Sequence, residues 1–289
     1  MDRLKKKPVP MEPPSIEILV IGNELLNGTT LDTNSHWLSI TLTRLGFKVI
    51  RKTTIQDELQ VIVKEFRLAL RRKPSWLFSL GGLGPTYDDK TLEGLAAALG
   101  VRVSLNSEAV NMLKERYRIR AAMLGTKLGM ISNASLKMAR LPEGSIPLKN
   151  SQGSAPGVFV RHRGVKVVSL PGVPREMKAI FVEDLVPKLK KETSRSARME
   201  EWYNVVGIGE SRLAPTLVKL SKRLTPTIYV KSHPIGFRNK KSLLNIQIIA
   251  SAPASESDFA RKMLNDACAE IQDGVRRLHG SLRHTKSIG

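Results

Sequence analysis

The sequence predicts an α/β fold in which a doubly wound, mostly parallel sheet is followed by a second, smaller α+β domain. Three short apolar runs, at residues 16–21, 47–50 and 76–78, each lead through a polar or glycine-rich turn into a helical pattern. Three such βα units in succession predict parallel strands joined by right-handed crossovers. A polar stretch at 191–199 then predicts a linker to the second domain.

The helices of the first domain follow these strands in order. The first is predicted at 34–45 and the third at 92–99. In the second, at 58–72, Asp57 and Gln60 have the spacing of a capping box, so helix capping is a sufficient structural account of Asp57. Further helices are predicted at 107–124 and 132–138, and a β-hairpin at 158–161 and 165–170.

The second domain has its own pattern of strands and helices. Its strands are predicted at 202–206, 227–230 and 243–249, its helices at 210–224 and 255–278, and a basic loop at 238–241. The expected boundaries are a disordered basic arm at 1–14, the sheet domain at 15–190, the linker at 191–199, the small α+β domain at 200–280 and a frayed tail at 281–289.

A glycine-rich loop joins the third strand to the third helix. Its glycines, Gly81, Gly82 and Gly84, let the backbone take positive φ and bring its N–H groups close to a ligand. The start of the following helix adds a partial positive charge, which suits a phosphate or another anion. The loop lacks the Gly-Lys-Ser/Thr of a Walker A motif and the third glycine of the dinucleotide fingerprint.

Two carboxylates, Asp88 and Asp89, follow these glycines and would repel a phosphate at the same helix end. A divalent cation held by both would resolve the conflict, which predicts a metal-assisted phosphate site. The structural alternative is that one aspartate caps the helix while the glycines serve a tight turn, and the residues alone leave both open. Without a His/Cys cluster at metal-ligand spacing, magnesium or a similar ion is expected rather than zinc.

Two other predicted strands end in residues suited to the same site. Glu24 follows the first strand, and open α/β sheets bind ligands at the carboxyl ends of their strands. Pro171 and Gly172 follow the strand of the hairpin and repeat the strand, turn and helix order of the glycine-rich loop. A solvated glutamate and a simple proline helix start are the structural alternatives.

The composition restricts the classes of partner. A formal charge of +21 and a pI of about 10.3 attract nucleic acid, anionic membranes or phosphorylated metabolites. The basic residues are spread over the chain, and no run combines them densely with aromatic residues, so a generally basic surface is favoured over nucleic-acid binding. No apolar run is long enough to span a membrane. The single cysteine, Cys268, excludes an internal disulfide, and we expect a cytoplasmic protein.

Taken together, six motifs in order resemble the CinA family, whose N-terminal domain is related to molybdopterin-binding proteins of the MoaB and MogA type. The motifs are Gly22-Asn23-Glu24-Leu25-Leu26-Asn27-Gly28, Thr33-Asn34, Gly81-Gly82-Leu83-Gly84-Pro85-Thr86 with Asp88, Asp89 and Thr91, Gly153-Ser154-Ala155-Pro156-Gly157, Leu170-Pro171-Gly172-Val173-Pro174 with Glu176-Met177, and Gly207-Ile208-Gly209-Glu210-Ser211. The resemblance covers the chain from about residue 16 to about residue 250.

The resemblance implies a ligand at the glycine-rich loop and a homodimer or trimer. Family members have been linked to metal-dependent hydrolysis of ADP-ribose, so this activity is the leading hypothesis. The alternatives are a non-catalytic protein that binds a molybdopterin or a nucleotide, and a basic adaptor for nucleic acid. The implied cofactor is a divalent ion, with a monovalent cation as an optional companion. The catalytic residues are expected to be Asp89, Asp57 and Asp88, of which Asp88 and Asp89 hold the metal, and the ligand-binding residues Gly81, Gly82, Gly84, Thr86, Thr91, Pro171, Gly172, Glu24 and Asn34.

The resemblance also bears on the second domain, which in the family looks KH-like. A KH module that binds nucleic acid needs a Gly-x-x-Gly clamp, and Gly207-Ile208-Gly209-Glu210 departs from it by placing an acid where phosphate would lie. Many members carry a further C-terminal domain that deamidates nicotinamide mononucleotide. The chain ends at Gly289, where that domain would begin, so deamidation is not expected of this chain.

Overall fold

The computed structural model describes residues 13–126, 131–193, 196–225 and 227–285. The chain divides into two compact units, the first formed by Pro13–Thr193 and the second containing the residues from Ser194 onward. Each unit has its own hydrophobic core. The basic arm predicted at 1–14 lies outside the described residues except for its last two.

The first unit contains eight strands and eight α-helices within its described residues. These are β1 (Ser15–Ile21), α1 (Asn23–Leu26), α2 (Thr33–Arg44), β2 (Lys48–Ile55), α3 (Leu59–Arg72), β3 (Trp76–Leu80), α4 (Thr91–Leu99), β4 (Val103–Leu105), α5 (Ser107–Met123), α6 (Asn133–Lys137), β5 (Arg140–Pro142), β6 (Ile146–Leu148), β7 (Gly157–His162), β8 (Val165–Leu170), α7 (Pro174–Ile180) and α8 (Val186–Thr193). A π-helical turn at Phe181–Leu185 joins α7 to α8.

A six-stranded sheet in the order β2-β1-β3-β8-β7-β6 forms the centre of this unit. The pairs β2/β1, β1/β3 and β3/β8 are parallel, whereas β8/β7 and β7/β6 are antiparallel. The predicted α/β class with a mostly parallel sheet is therefore confirmed, as is the hairpin, which turns through Gly164 at φ 88°. The parallel strands β2, β1, β3 and β8 end at one edge of the sheet.

Helices cover both faces of the sheet, as in doubly wound folds. Along β1, Ile16, Ile18 and Val20 pack with α2, α7 and α8 on one face, while Leu19 and Ile21 pack with α3 and α4 on the other. Successive side chains of a strand point to opposite faces, so a strand buried on both faces is apolar nearly throughout.

The exception on β1 is Glu17, whose side chain is 3% exposed. The guanidinium of Arg72, in the last turn of α3, donates to both carboxylate oxygens, with Nη2 to Oε2 at 2.6 Å and Nε to Oε1 at 2.8 Å. This hydrogen bonding raises the pKa of Arg72. A fork-shaped donor thus satisfies a carboxylate that the strand position buries.

The positions at which the helices begin contradict three predictions that an aspartate caps a helix. The structure begins α3 after Glu58, without a side-chain cap, so the capping box of Asp57 is wrong. The residue before α4 is Lys90, so neither Asp88 nor Asp89 caps that helix. These carboxylates are therefore not needed to start a helix.

The second unit contains β9 (Ser196–Val206), α9 (Glu210–Leu224), β10 (Ile228–Arg238), β11 (Lys241–Pro253), α10 (Ser257–Arg277) and β12 (Ser281–Thr285). Its antiparallel sheet has the order β10-β11-β9-β12. This βαββαβ succession is the split-βαβ arrangement of ferredoxin-like domains. The predicted α+β architecture agrees with it, whereas the KH-like comparison stays a prediction.

Two predicted boundaries differ from the structure. The expected linker at 191–199 is mostly ordered, because α8 continues to Thr193 and β9 begins at Ser196. The expected frayed tail is partly a strand, because 281–285 forms β12 and pairs with β9. Strand pairing supplies hydrogen bonds that a polar sequence alone does not reveal. The final residues of the tail, 286–289, lie outside the described part of the chain.

The helices of the two units are amphipathic rather than apolar throughout. Among the described residues, no helix has the length and hydropathy that crossing a bilayer requires. Cys268, on α10, is buried, and burial raises the pKa of its thiol. This agrees with the prediction that it is a small buried apolar residue rather than a nucleophile.

Candidate functional site

A cleft of about 850 Å³ lies at the carboxyl edge of the first unit's sheet. The turn after each of the four parallel strands contributes to it: Gly22 follows β1, Asp57 follows β2, Gly81 follows β3 and Pro171 follows β8. Because parallel strands place their carboxyl ends side by side, residues far apart in the chain meet here. Of the twelve site residues predicted, all except Thr91 line this cleft.

The backbone of the glycine-rich loop is fixed from behind. Gly81 has φ 98°, donates its N–H to the carbonyl of Leu170 at 3.0 Å, and leaves no space for a Cβ, which would lie 2.4 Å from the carbonyl oxygen of Ile21. Thr91 is fully buried and donates its hydroxyl to the carbonyl of Gly81 at 2.8 Å. Thr91 therefore supports the loop instead of lining the cleft.

The carboxylates of Asp88 and Asp89 converge on Thr86. The Thr86 backbone N–H donates to Asp89 Oδ2 at 2.8 Å, and the Thr86 hydroxyl lies 2.5 Å from the same oxygen and also contacts Asp88 Oδ1. A hydroxyl has one proton and can donate to one of these carboxylates at a time. The two aspartates thus bring carboxylate oxygens close together at the wall of the cleft.

Asp88 is ionised at neutral pH. The hydrogen bond from Thr86 holds the pKa of its carboxyl below the usual value, with smaller contributions from backbone hydrogen bonding and from the charges of Lys137 and Lys90. Lys137, expected to be a solvated lysine, donates its ammonium to the carbonyl of Thr86. The lysine therefore fixes the loop and adds positive charge beside the two carboxylates.

In the turn after β2, Asp57 accepts a hydrogen bond from Nδ2 of Asn23. Asn34 donates its amide to the carbonyl of Gly172 at 2.6 Å and so connects α2 to the turn after β8. Its Oδ1 is buried without a hydrogen-bond partner in the described structure. A buried amide oxygen that lacks a donor at the wall of a ligand cleft is ready to accept one from a ligand.

Asn150 is a structural residue of the site that sequence reasoning missed. Its Oδ1 accepts from the backbone of Gly153 at 2.7 Å, and its Nδ2 donates to the carbonyl of Ala155 and to the carboxylate of Glu176. Arg116 holds the same turn by donating to the carbonyls of Ser151 and Gly153, both at 2.9 Å. The signal was present, because Asn bonding to the N–H groups after it is typical of turns.

Cationic side chains also line the cleft. Arg116 and Arg120 reach it from α5, and Arg175 reaches it from the first turn of α7. The carboxylates of Asp57, Asp88 and Asp89 line the same cleft. A ligand that combines phosphate with a cation or hydrogen-bond donors complements both sets of charges.

Whether the cleft suits a divalent ion depends on the oxygen ligands that its side chains supply. Among the residues that the structure describes, no three His, Cys, Asp or Glu side chains group as metal ligands. Asp88 and Asp89 supply two carboxylates on one loop. Magnesium is commonly held by one or two carboxylates together with water and substrate phosphate, so this pair fits it, while a closed metal site made of protein alone does not.

These features define an α/β protein with a ligand cleft at the carboxyl edge of a mostly parallel sheet. Residues 17–191 match the family model described as "Probable molybdopterin binding domain". The chain belongs to this family.

The similarity to individual proteins extends beyond that domain. A protein of Saccharolobus solfataricus is 39% identical over 269 residues, which cover 93% of this chain and 94% of the relative. A protein of Aeropyrum pernix is 42% identical over 276 residues, 96% of this chain and 99% of that protein. The crystal structure of CinA from Thermoplasma acidophilum, described as having unknown function, is 34% identical, covers 61% of this chain and 98% of its own, and superposes with a TM-score of 0.54.

Proposed function

We propose that the cleft binds a phosphorylated pterin or nucleotide and that, with a divalent ion, it hydrolyses the pyrophosphate bond of ADP-ribose or a related nucleotide. The observation that supports this proposal most directly is that the glycine-rich backbone at 81–84 lines the same cleft as the carboxylates of Asp57, Asp88 and Asp89. The membership in a molybdopterin-binding family supports a pterin phosphate or nucleotide as the class of ligand.

The roles of the residues follow from their places in the cleft. The backbone of 82–84, with the turn after Pro171, would bind the phosphates, and Arg116 and Arg120 would balance their charge. Asp57, which no helix start requires, would orient the ligand or an attacking water. Asp88 and Asp89 would hold the ion, which when bound polarises a phosphoryl oxygen and lowers the pKa of a water molecule.

A second function is favoured by one specific observation. The carboxylates of Asp88 and Asp89 are hydrogen-bonded to Thr86, so a partner within the loop itself satisfies them. Such a loop suits a protein that binds a pterin phosphate or nucleotide and catalyses nothing. A homodimer or trimer and a cytoplasmic location remain predictions for either function.

Release of AMP from ADP-ribose by the purified protein tests the proposal. Turnover should require magnesium, disappear on addition of a chelator and fall at least a hundredfold in Asp89→Asn, since the loop loses one ligand charge. Asp266→Asn, which makes the same change on the exposed side of α10, should leave turnover unchanged. Equal inactivity of all variants, together with calorimetric binding of ADP-ribose by wild type, would establish the binding-only function.

A further inference from the structure

Within the part of the chain that the structure describes, both helices of the second unit pack on the same face of its sheet. On that face, Tyr203, Val205, Ile246 and Ile248 pack with the apolar sides of α9 and α10. Since side chains alternate along a strand, the residues between these positions share the opposite face. We name this surface the helix-free face and define it by the cross-strand rows that the strand register gives.

Three rows make up the helix-free face. The first row is Tyr229, Ile249 and Glu200, the second is Lys231, Gln247, Trp202 and Thr285, and the third is His233, Asn245, Asn204 and Arg283. Aromatic, amide and cationic side chains from four strands therefore lie side by side. These residues are scattered over more than eighty positions of the sequence, which is why no basic and aromatic run was visible there.

Trp202 is held in a fixed orientation on this face. Its indole N–H donates to Glu200 Oε1 at 2.6 Å, and Gln247 donates to the same oxygen at 2.7 Å. The ring of His233 contacts the indole in a tilted arrangement, with centroids 5.3 Å apart and planes 31° apart. The charge of Glu200 is paired with Arg198 at 3.2 Å. Hydrogen bonds and ring contact thus order an aromatic surface before any ligand arrives.

Cationic side chains lie on this surface and at one end of it. Between Glu210 and Glu256 the chain has no Asp or Glu and eight Lys or Arg residues, four of them on α9 and four on β10, β11 or the turn that joins these strands. Of these, Lys231 lies within the rows, and Arg238, Lys240 and Lys241 lie at the tip where β10 turns into β11. Tyr229 is 54% exposed, and Phe237, near the same tip, is 80% exposed. Exposed rings with cations around them complement bases and phosphates together.

We propose that the helix-free face binds single-stranded nucleic acid, with bases stacked on Trp202 and Tyr229 and phosphates contacted by Lys231 and Arg283. A four-stranded sheet that stacks bases on its aromatic residues is an established mode of single-strand recognition. The amides of Gln247 and Asn204 stand beside the rings, where base edges would lie. This inference concerns the second unit and does not depend on the function proposed for the cleft.

Fluorescence anisotropy with labelled 20-nucleotide dT and rU strands tests the proposal on the full chain. Tyr229→Ala and Trp202→Ala should each weaken binding by about tenfold, since stacking of one base contributes at this level. Lys231→Ala should weaken binding and reduce the slope of log affinity against log salt by about one. A dU strand, which differs from rU only at the 2′-hydroxyl, shows whether that hydroxyl is read.

Matched variants on the helix side of the same unit serve as controls. Phe259→Ala removes a ring of similar exposure, 52%, from α10, and Lys262→Ala removes a charge from the same helix. Both should bind as wild type does, and circular dichroism should show every variant folded. Absence of binding at 50 mM salt, equal weakening by the control variants, or binding to anionic vesicles but not to the strands would each overturn the proposal.

Discussion

Asp57 shows how one side chain's surroundings separate a structural role from a functional one. Its sequence position suits a helix cap, yet the structure leaves its carboxylate in the cleft, bonded to Asn23. Asn106 is a contrasting case, because its Oδ1 accepts from the N–H of Ala109 at 3.0 Å and caps α5. The two residues therefore allow the two roles to be tested against each other.

We expect Asp57→Asn to abolish binding of ADP-ribose while changing the free energy of unfolding by less than about 0.5 kcal/mol. Asn106→Ala should do the reverse, costing about 1 kcal/mol for the lost cap and leaving ligand binding unchanged. Urea unfolding and isothermal titration calorimetry measure the two quantities. A destabilised Asp57→Asn with normal binding would make Asp57 structural after all.

Gly81 supports a second prediction at this scale. Gly81 and Gly28 both have positive φ, 98° and 78°, but a Cβ on Gly28 would meet nothing within 4 Å. Gly28→Ala should therefore cost about 1 kcal/mol, from its left-handed backbone alone. Gly81→Ala adds a collision with the backbone of Ile21 and should cost about 3 kcal/mol or more. If urea unfolding shows that Gly28→Ala and Gly81→Ala lower the free energy of unfolding by similar amounts, the loop can move away from β1.

At the scale of elements, the carboxylate-guanidinium pair joins β1 to α3. Replacing Arg72 by Ala would leave the buried carboxylate of Glu17 without its partner. Because the Arg72 side chain is 33% exposed, water can partly take its place, so we expect a cost of about 2 kcal/mol, below the range for fully buried pairs. Arg71→Ala, one residue earlier and exposed, should stay within about 0.5 kcal/mol. A chemical denaturation midpoint unchanged in Arg72→Ala would contradict this account.

The helical segment after β8 holds a neighbouring loop in place through hydrogen bonds. Its π-helical turn places Glu183 and Asp184, whose carboxylates accept from the Ser151 hydroxyl at 2.7 Å and the Lys149 backbone at 2.8 Å. Together with Asn150, these contacts order the turn at the cleft wall. Single π-turns within helices often occur near functional sites.

At the scale of the whole molecule, the two units have separate cores, and the cleft residues all belong to the first. A fragment of residues 13–193 should therefore fold cooperatively and bind ADP-ribose with an affinity within about threefold of the full chain, which is a difference of about 0.7 kcal/mol or less. Thermal unfolding followed by calorimetric titration measures both. A fragment that is unfolded, or folded without binding, would show that the second unit contributes to the first.

The periodicity of the sequence determined the fold class, because burial on both faces of a parallel strand requires nearly continuous apolar runs such as 16–21, in which Glu17 is the exception. It also determined the order of the longer helices in both units and the position of the glycine-rich loop between β3 and α4. Helix starts were less certain, since a capping box at Asp57 looks the same in sequence whether or not the chain uses it.

The sequence by itself therefore determined most of the longer elements and the residues that end each parallel strand, since these depend on nearby periodicity and turn chemistry. Only the tertiary structure decided which side chains meet. It turned Asp57 towards the cleft, moved Thr91 behind the loop, and gave Asn150 its part in the cleft wall. It also brought Trp202, His233 and Arg283 together on one sheet face. These contacts between distant residues depend on strand order and register, which long-range packing selects and no local sequence pattern specifies.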